Sequence, residues 1–246
     1  MNLSIISSFR RNGMKVLGIS GSCRGDKQSG SFRLAKTALD ACGHEYELVS
    51  LRGKKIVGCT GCLGCVKDNV CVIKDDMADI RDKFIEADAF IIAAPNFYSQ
   101  INAVTHSLLE RLYQFRHREC DTLWGKLAVA IGVGGGTGVP VVDQIETFMN
   151  YSFIETIAKV CGQGAACCFS CGYGEICKVG VVHLIFGEGT KITEEIIPRV
   201  EKQPEVLKAA EDAGAELGRR LREGHDRKAV AEKMQQAMIE KFKEST

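Results

Sequence analysis

An open, parallel α/β sheet is the fold class this sequence predicts, and three observations predict it. Apolar strand-like runs alternate with amphipathic helical stretches along most of the chain, the order a parallel sheet covered by helices requires. Distinctive loops rich in glycine, hydroxyls or aromatics follow three of those runs directly, at the carboxyl ends of strands, where such sheets bind ligands. The length, 246 residues, suits one large domain or one domain with an appendage.

The elements follow in order. Lys15–Ser20 (K-V-L-G-I-S) is the first strand, and residues 31–42 then carry Phe32, Ala35, Leu39 and Cys42 at helical spacing. Residues 45–51 alternate as a strand and lead into a cysteine-rich loop. Residues 75–87 are helical, with Met77, Ile80 and Phe84 on one face. Residues 89–94 (A-F-I-I-A-A) form a buried strand, followed by a helix using Val104, Leu108, Leu112 and Phe115. Residues 127–132 (L-A-V-A-I-G) are another strand, and Val141, Ile145, Phe148 and Met149 mark the next helix. Residues 164–169 (G-A-A-C-C-F) are read as the fifth strand. From Glu205 onward two helices are expected, striped by Val206, Ala210, Ala213 and Leu217 and by Val230, Met234, Met238 and Phe242, with a turn at Gly224. The division expected is a disordered lead-in over residues 1–13, with Met14 as an alternative start, a domain over residues 14–190 and a helical extension over residues 191–246.

Composition narrows the function. Lys plus Arg number 32 and Asp plus Glu 31, so there is no electrostatic case for nucleic acid as the main partner. No apolar run approaches the ~20 residues that a membrane span needs. The first residues lack the apolar stretch and small-residue cleavage site of an export signal. Twelve cysteines without such a signal point to a reducing cytoplasm, where thiols serve metal or redox chemistry.

Four of them, Cys59, Cys62, Cys65 and Cys71, stand in the run C-T-G-C-L-G-C-V-K-D-N-V-C, a C-x2-C-x2-C-x5-C spacing. A cubane cluster presents four iron corners, each of which takes one soft thiolate. A loop wraps such a cluster only if it turns sharply, and Gly61 and Gly64 permit that. Structural zinc sites split their ligands into two separated pairs, and the bacterial ferredoxin motif ends C-x3-C-P, neither of which matches. A single 4Fe–4S cluster on all four cysteines is the expectation, with zinc as the competing reading.

Three strand-end loops are distinctive, although the first could be only a polar loop with a serine cap and the third only a turn. The first, S-G-S-C-R-G-D-K-Q-S-G-S-F, leads into a helix start whose free N–H groups suit a phosphate, with Ser22, Arg24, Ser29 and Ser31 able to add hydrogen bonds. It is not a P-loop, because Gly30 is followed directly by Ser31 without a lysine. The second, over residues 95–99, places the aromatic pair Phe97 and Tyr98 just past a strand, where it could stack on a flat ring; core or interface packing is the bland alternative. The third, G-V-G-G-G-T-G-V-P, would let backbone approach a ligand closely, although Thr137 breaks a G-x-G-x-x-G pattern.

Residues 14–140 resemble the iron–sulfur flavoproteins of the flavodoxin-like NAD(P)H-dependent FMN reductase superfamily. The resemblance rests on V-L-G-I-S-G-S-C-R, on G-C-T-G-C-L-G-C-V-K-D-N-V-C-V-I-K-D-D-M, on E-A-D-A-F-I-I-A-A-P-N-F-Y and on V-G-G-G-T-G. It implies a flavodoxin-like five-stranded parallel sheet of order 2-1-3-4-5 with helices on both faces. It implies FMN, with the phosphate at Ser22, Arg24, Ser29, Ser31 and Phe32, and the ring between Pro95, Asn96, Phe97 and Tyr98 on one side and Gly134, Gly135, Gly136 and Thr137 on the other. It also implies a homo-oligomer, dimer or tetramer, in which a cluster on one subunit lies near flavin at a subunit interface. The sequence departs from the family pattern at Cys23, usually proline, at Gly30, usually asparagine, at Ser99, commonly glycine, and at His106, commonly lysine.

The function implied is electron transfer between a ferredoxin-like donor or NAD(P)H and a small acceptor, such as an oxygen species or a quinone, through FMN and the cluster. A plain NAD(P)H-dependent flavin or quinone reductase without a cluster, and a cysteine-based redox sensor, are the alternatives. In a second cysteine group, Cys161, Cys167, Cys168, Cys171 and Cys177, either Cys167 and Cys168 are core residues of the fifth strand, or another metal or redox site forms from Cys168, Cys171 and Cys177, with Cys161 or Cys167 as a fourth ligand. Cys42 and Cys120 read as structural, and the five histidines as surface or hydrogen-bonded residues.

Overall fold

A computed structural model describes residues 14–244. The expected lead-in over residues 1–13 lies outside the described residues. Five parallel strands form the sheet: β1 (Lys15–Ser20), β2 (Glu45–Ser50), β3 (Ala89–Phe97), β5 (Leu127–Gly134) and β6 (Glu155–Gln163), with the two-residue β4 (Gln100–Ile101) folded back antiparallel onto β3. The helices are α1 (Gly30–Cys42), α2 (Met77–Glu86), α3 (Ala103–Glu110), α4 (Val139–Tyr151), α5 (Val181–Phe186), α6 (Pro204–Arg222) and α7 (Arg227–Glu244). The sheet order is β2-β1-β3-β5-β6, which for the parallel strands alone is the 2-1-3-4-5 order of a flavodoxin-like sheet. None of the described helices is long and apolar enough to cross a membrane.

Strand alternation sorts the core into two layers. Leu17, Ile19, Phe90 and Ile92 face α2, α3 and α4, whereas Val16, Ala89, Ile91 and Val129 face α1 and α6. Helix α6 belongs to this second layer, burying Ala210, Ala213, Leu217 and Leu221. It crosses α1 at close range: a Cβ at Gly214 would stand 1.9 Å from the Ala38 carbonyl oxygen, and one at Gly218 would stand 1.9 Å from that of Cys42. In α7, Ala231 is buried, Val230, Met234 and Met238 are half-buried and Phe242 is exposed.

The structure corrects the sequence reading in four places. The fifth parallel strand is Glu155–Gln163, and residues 164–169 form no strand; Cys167–Phe169 is a 3-10 turn. Strand β6 is a sheet edge, and its Glu155, Lys159 and Gln163 break up the apolar signature of a central strand, as edge strands commonly do. Second, Pro95, Asn96 and Phe97 continue β3, so the expected loop shrinks to a two-residue hairpin turn at Tyr98 and Ser99, which adopt φ of 54° and 61°. Third, β5 runs on to Gly134 and takes the first glycines of the third loop into the sheet. Fourth, the helix expected through Phe115 ends at Glu110 and tightens into a 3-10 stretch, Arg111–Arg116, which turns Arg111 and Gln114 inward with Leu112 and Phe115.

One buried cation lies at the amino end of β5. Lys126 donates to the carbonyl oxygens of Phe84 (2.8 Å) and Ile85 (2.9 Å) and so caps the last turn of α2. Burial pushes its ammonium pKa down to about 7.

Candidate functional site

All three strand-end loops lie together at the carboxyl edge of the sheet. Gly21 N–H donates to the Ala93 carbonyl across the β1–β3 junction (2.8 Å), and Asn102 Nδ2 donates to the Gly21 carbonyl (2.7 Å). Ser22, Ser29 and Ser31 are all buried. Ser29 caps α1, its hydroxyl accepting the Phe32 N–H at 3.0 Å, and Ser22 Oγ accepts the Arg24 N–H at 3.2 Å. Phe32, half-buried, sits in the first turn of α1. Arg24 donates one guanidinium N–H to the Ala165 carbonyl at 2.8 Å, tying this loop to the segment after β6. Ser20, the last residue of β1 and on the same side of the strand as Val16, carries a buried hydroxyl without a hydrogen-bond partner. The first loop therefore offers an orphan hydroxyl, buried serines, a guanidinium and a helix N-terminus in one place, a donor set that fits a phosphate.

The hairpin and the glycine loop are stapled to each other. Asn96 Nδ2 donates to the Thr137 carbonyl at 2.7 Å, while Gln144 of α4 donates to the Ser99 carbonyl and accepts the Ile101 N–H, both at 3.2 Å. Phe97 is partly exposed and Tyr98 fully exposed at the turn, and Pro95 is half-buried. A Cβ at Gly134 would stand 2.2 Å from the Thr137 carbonyl oxygen, so only glycine lets the loop fold back this tightly. Gly135 accepts from Gln163 Nε2 (3.1 Å), and the Gly164 N–H donates to the Gly134 carbonyl (2.8 Å). Gly136 faces open space. These loops leave backbone and aromatic surface on either side of one edge, which fits a planar ring.

The cysteine loop joins β2 to α2. Cys59 and Cys62 are exposed, Cys71 half-buried and Cys65 buried, and all four are free thiols. Positive φ at Gly61 (65°), Leu63 (59°) and Asn69 (58°) gives the loop its turns. It is bolted to the segment running from α3 into the 3-10 stretch. Glu110 Oε2 accepts the Cys59 N–H at 3.1 Å, and Gln114 Oε1 accepts the Cys71 N–H at 3.1 Å. Arg111 Nη1 donates to the Val57 carbonyl (2.9 Å) and to Asp75 (2.7 Å). The Gly64 N–H, then the Thr60 hydroxyl, hold the Cys62 thiol below its usual range. Burial, then the charges of Cys71, Cys59 and Cys62, push the Cys65 thiol up. Four soft donors whose charges oppose one another fit a cationic metal group, which would relieve that repulsion. Among the described residues, no three His, Cys, Asp or Glu side chains are already drawn round one point.

Sequence reasoning missed the residues that hold these loops. Asn102 and Thr105 brace the first loop, since a Cβ at Gly21 would meet Thr105 Oγ1 at 1.8 Å, whereas Glu110, Arg111, Gln114 and Asp75 brace the cysteine loop. A buried arginine beside an apolar stripe looks on paper like any solvated helix charge, so nothing in the spacing marks Arg111.

The late cysteines follow β6. Cys161 lies in β6, half-buried against the core. Cys167 is exposed and Cys168 half-buried in the 3-10 turn, which corrects the reading of this pair as strand core. Cys171 is exposed and Cys177 half-buried in the loop beyond. Cys42 is buried in the α1–α6 layer, and Cys120 is half-buried beside Thr122. His44 and His225 bond backbone carbonyls, and His106 pairs with Glu110 at 3.4 Å.

Comparison with known proteins agrees with this fold. A family model described as NADPH-dependent FMN reductase matches residues 14–161. An iron–sulfur flavoprotein of Archaeoglobus fulgidus is 35% identical over 140 residues, 56% of this chain and 61% of its own, so the chain spans about three fifths of that relative. A second iron–sulfur flavoprotein of the same organism is 32% identical over 136 residues, 54% of this chain and 70% of its own. One from Methanosarcina thermophila is 34% identical over 125 residues, 50% of this chain and 64% of its own. Among solved structures, RosB with bound 8-demethyl-8-formylriboflavin-5'-phosphate superposes with a TM-score of 0.58 at 16% identity, over 95% of this chain and 88% of that one. A WrbA-like flavodoxin of Agrobacterium tumefaciens superposes at 0.51 and 10% identity, over 87% of this chain and 99% of its own. The structural likenesses concern the fold alone.

Proposed function

Because the chain belongs to the NADPH-dependent FMN reductase family, with iron–sulfur flavoproteins among its relatives, we propose that it is a flavin-dependent oxidoreductase that holds FMN at the sheet edge and a 4Fe–4S cluster on Cys59, Cys62, Cys65 and Cys71. In this reading FMN supplies two-electron and one-electron chemistry and the cluster one-electron chemistry, so together they connect a ferredoxin-like donor or NAD(P)H to a small acceptor. The chain's own residues bind, orient and shield. Ser22, Ser29, Ser31 and Arg24, with the first turn of α1 at Phe32, hold the phosphate. Pro95, Asn96, Phe97 and Tyr98 on one side and Gly134, Gly135, Gly136 and Thr137 on the other flank the ring.

The single observation that carries the proposal is the strut formed by α3 and its 3-10 continuation. Its start, at Asn102 and Thr105, braces the phosphate loop, and its end, at Glu110, Arg111 and Gln114, braces the cysteine loop. One element thus contacts both loops, with roughly 20 Å of helix between its Asn102 and Gln114 ends. The exposed Tyr98, Cys59 and Cys62 support assembly as a homo-oligomer in which a partner covers the exposed edge.

The test is cofactor content after anaerobic purification. The reading expects FMN with about four irons and four sulfides per chain. Alanine at any one of the four cysteines should remove or degrade the cluster while FMN stays bound. Bound FMN with neither iron nor sulfide would leave a plain flavin reductase.

A further inference from the structure

We infer that Cys168, Cys171 and Cys177 form a second thiolate site, separate from the first four cysteines, that binds one soft divalent metal ion, zinc or ferrous iron, and leaves its fourth position to water. The C-F-S-C-G run around Cys168 and Cys171 has the short C-x2-C bite that places two sulfurs on one tetrahedral ion. Gly172 follows at φ 82°, turning the chain back, and Cys171 Sγ lies 3.6 Å from the Cys168 carbonyl. Cys177 ends a tight turn in which its N–H meets the Tyr173 carbonyl and its carbonyl accepts the Gly180 N–H, both at 2.9 Å.

Two sulfurs then meet the same peptide unit. The Val181 N–H donates to Cys168 Sγ at 3.4 Å, and a Cβ at Gly180 would stand 3.4 Å from Cys177 Sγ. An N–H aimed at a ligand sulfur is the kind of outer hydrogen bond that orients it toward a metal. Among the described residues the three sulfurs are not yet gathered round one point, so binding requires side-chain rotation within turns already formed.

The energetics of the segment point the same way. Between residues 164 and 190 the large apolar side chains that are buried are Phe169 and Val182, whereas Tyr173, Ile176, Val179, Leu184 and Ile185 are exposed. So small a local core contributes little toward the entropy of ordering an irregular stretch of this length, which a cross-link would help hold. A thiolate metal ion supplies one. The segment that carries the site starts beside the glycine loop, where the Gly164 N–H bonds the Gly134 carbonyl and Arg24 holds Ala165.

The test is metal counted against acid-labile sulfide in the full chain purified anaerobically. A cubane cluster carries iron and sulfide in equal number, so a mononuclear site appears as about one extra metal per chain. That excess should vanish in Cys171→Ser, whose exposed position makes the change mild for folding, and in the triple serine variant at 168, 171 and 177, with sulfide unchanged. In a chain with serine at 59, 62, 65 and 71, cobalt(II) should give thiolate-to-metal absorption at about one equivalent. Metal equal to sulfide in the wild type would overturn the inference. So would cobalt absorption that survives the triple substitution, or a disulfide among these cysteines found by mass spectrometry. Absence of sulfide would instead speak against the first cluster and leave this site to be judged by cobalt.

Discussion

Arg111 and Asp75 form a buried ion pair, Nη1 to Oδ2 2.7 Å, with side chains only 2% and 6% exposed, at the point where the cysteine loop closes onto its strut. Asp75 also accepts the N–H groups of Val57 and Met77, and Arg111 also donates to the Val57 carbonyl, so the pair joins both ends of the loop. Burial alone would raise the Asp75 carboxyl, but the Arg111 hydrogen bond and the two backbone N–H groups outweigh it and hold the pKa below the usual carboxylate range.

Replacing Arg111 by methionine should therefore cost about 3–5 kcal/mol, because it strands a buried carboxylate. Adding Asp75→Asn should recover part of that loss, since the remaining group is neutral. Urea unfolding of both variants measures it, and a fully additive double variant would contradict the coupling. The pair's contribution is present above the unfolded carboxyl pKa and is lost as pH falls through the lower folded value. Acid unfolding of Asp75→Asn should accordingly lack that component.

Lys126 predicts a pH trend of the same sign in a higher window. Its folded pKa is about 7 against an ordinary value of 10.5, so between those limits the unfolded chain binds more protons and stability rises with pH. The rise is at most about 5 kcal/mol, at 1.36 kcal/mol per unit of pKa difference. Unfolding midpoints at neutral and alkaline pH should converge on a flatter line in Lys126→Met. An equal slope in both proteins would show that the lysine keeps its charge through its two carbonyl partners.

Gly214→Ala and Gly218→Ala test the α1–α6 crossing. On an exposed helix such a change stabilises by about 1 kcal/mol. Here the new methyl would meet the Ala38 or Cys42 carbonyl oxygen at 1.9 Å, so about 1–3 kcal/mol should be lost instead. Thermal unfolding gives the sign directly.

Arg24→Ala tests the flavin loop. FMN should bind about 1.5–3 kcal/mol more weakly, the worth of a charge-assisted hydrogen bond to phosphate. Riboflavin, which lacks the phosphate, should bind both proteins alike. If riboflavin weakens equally, the arginine acts instead through its bond to Ala165.

The sequence by itself determined the parallel α/β class, the strands β1, β2, β3 and β5, the donor-rich loop after β1 and the compact cysteine run. Each depends on local information: apolar periodicity, helix caps and short-range spacing. It could not show that β6 runs from Glu155 to Gln163, because an edge strand, paired along only one of its sides, tolerates charge and loses its periodic signature. Nor could it show that Asn96 would reach Thr137, that Arg24 would hold Ala165, or that Arg111 would meet Asp75 thirty-six residues away. Those contacts exist only once the sheet has set the distances between loop ends, and tertiary packing alone decided that one strut would brace both the phosphate loop and the cysteine loop.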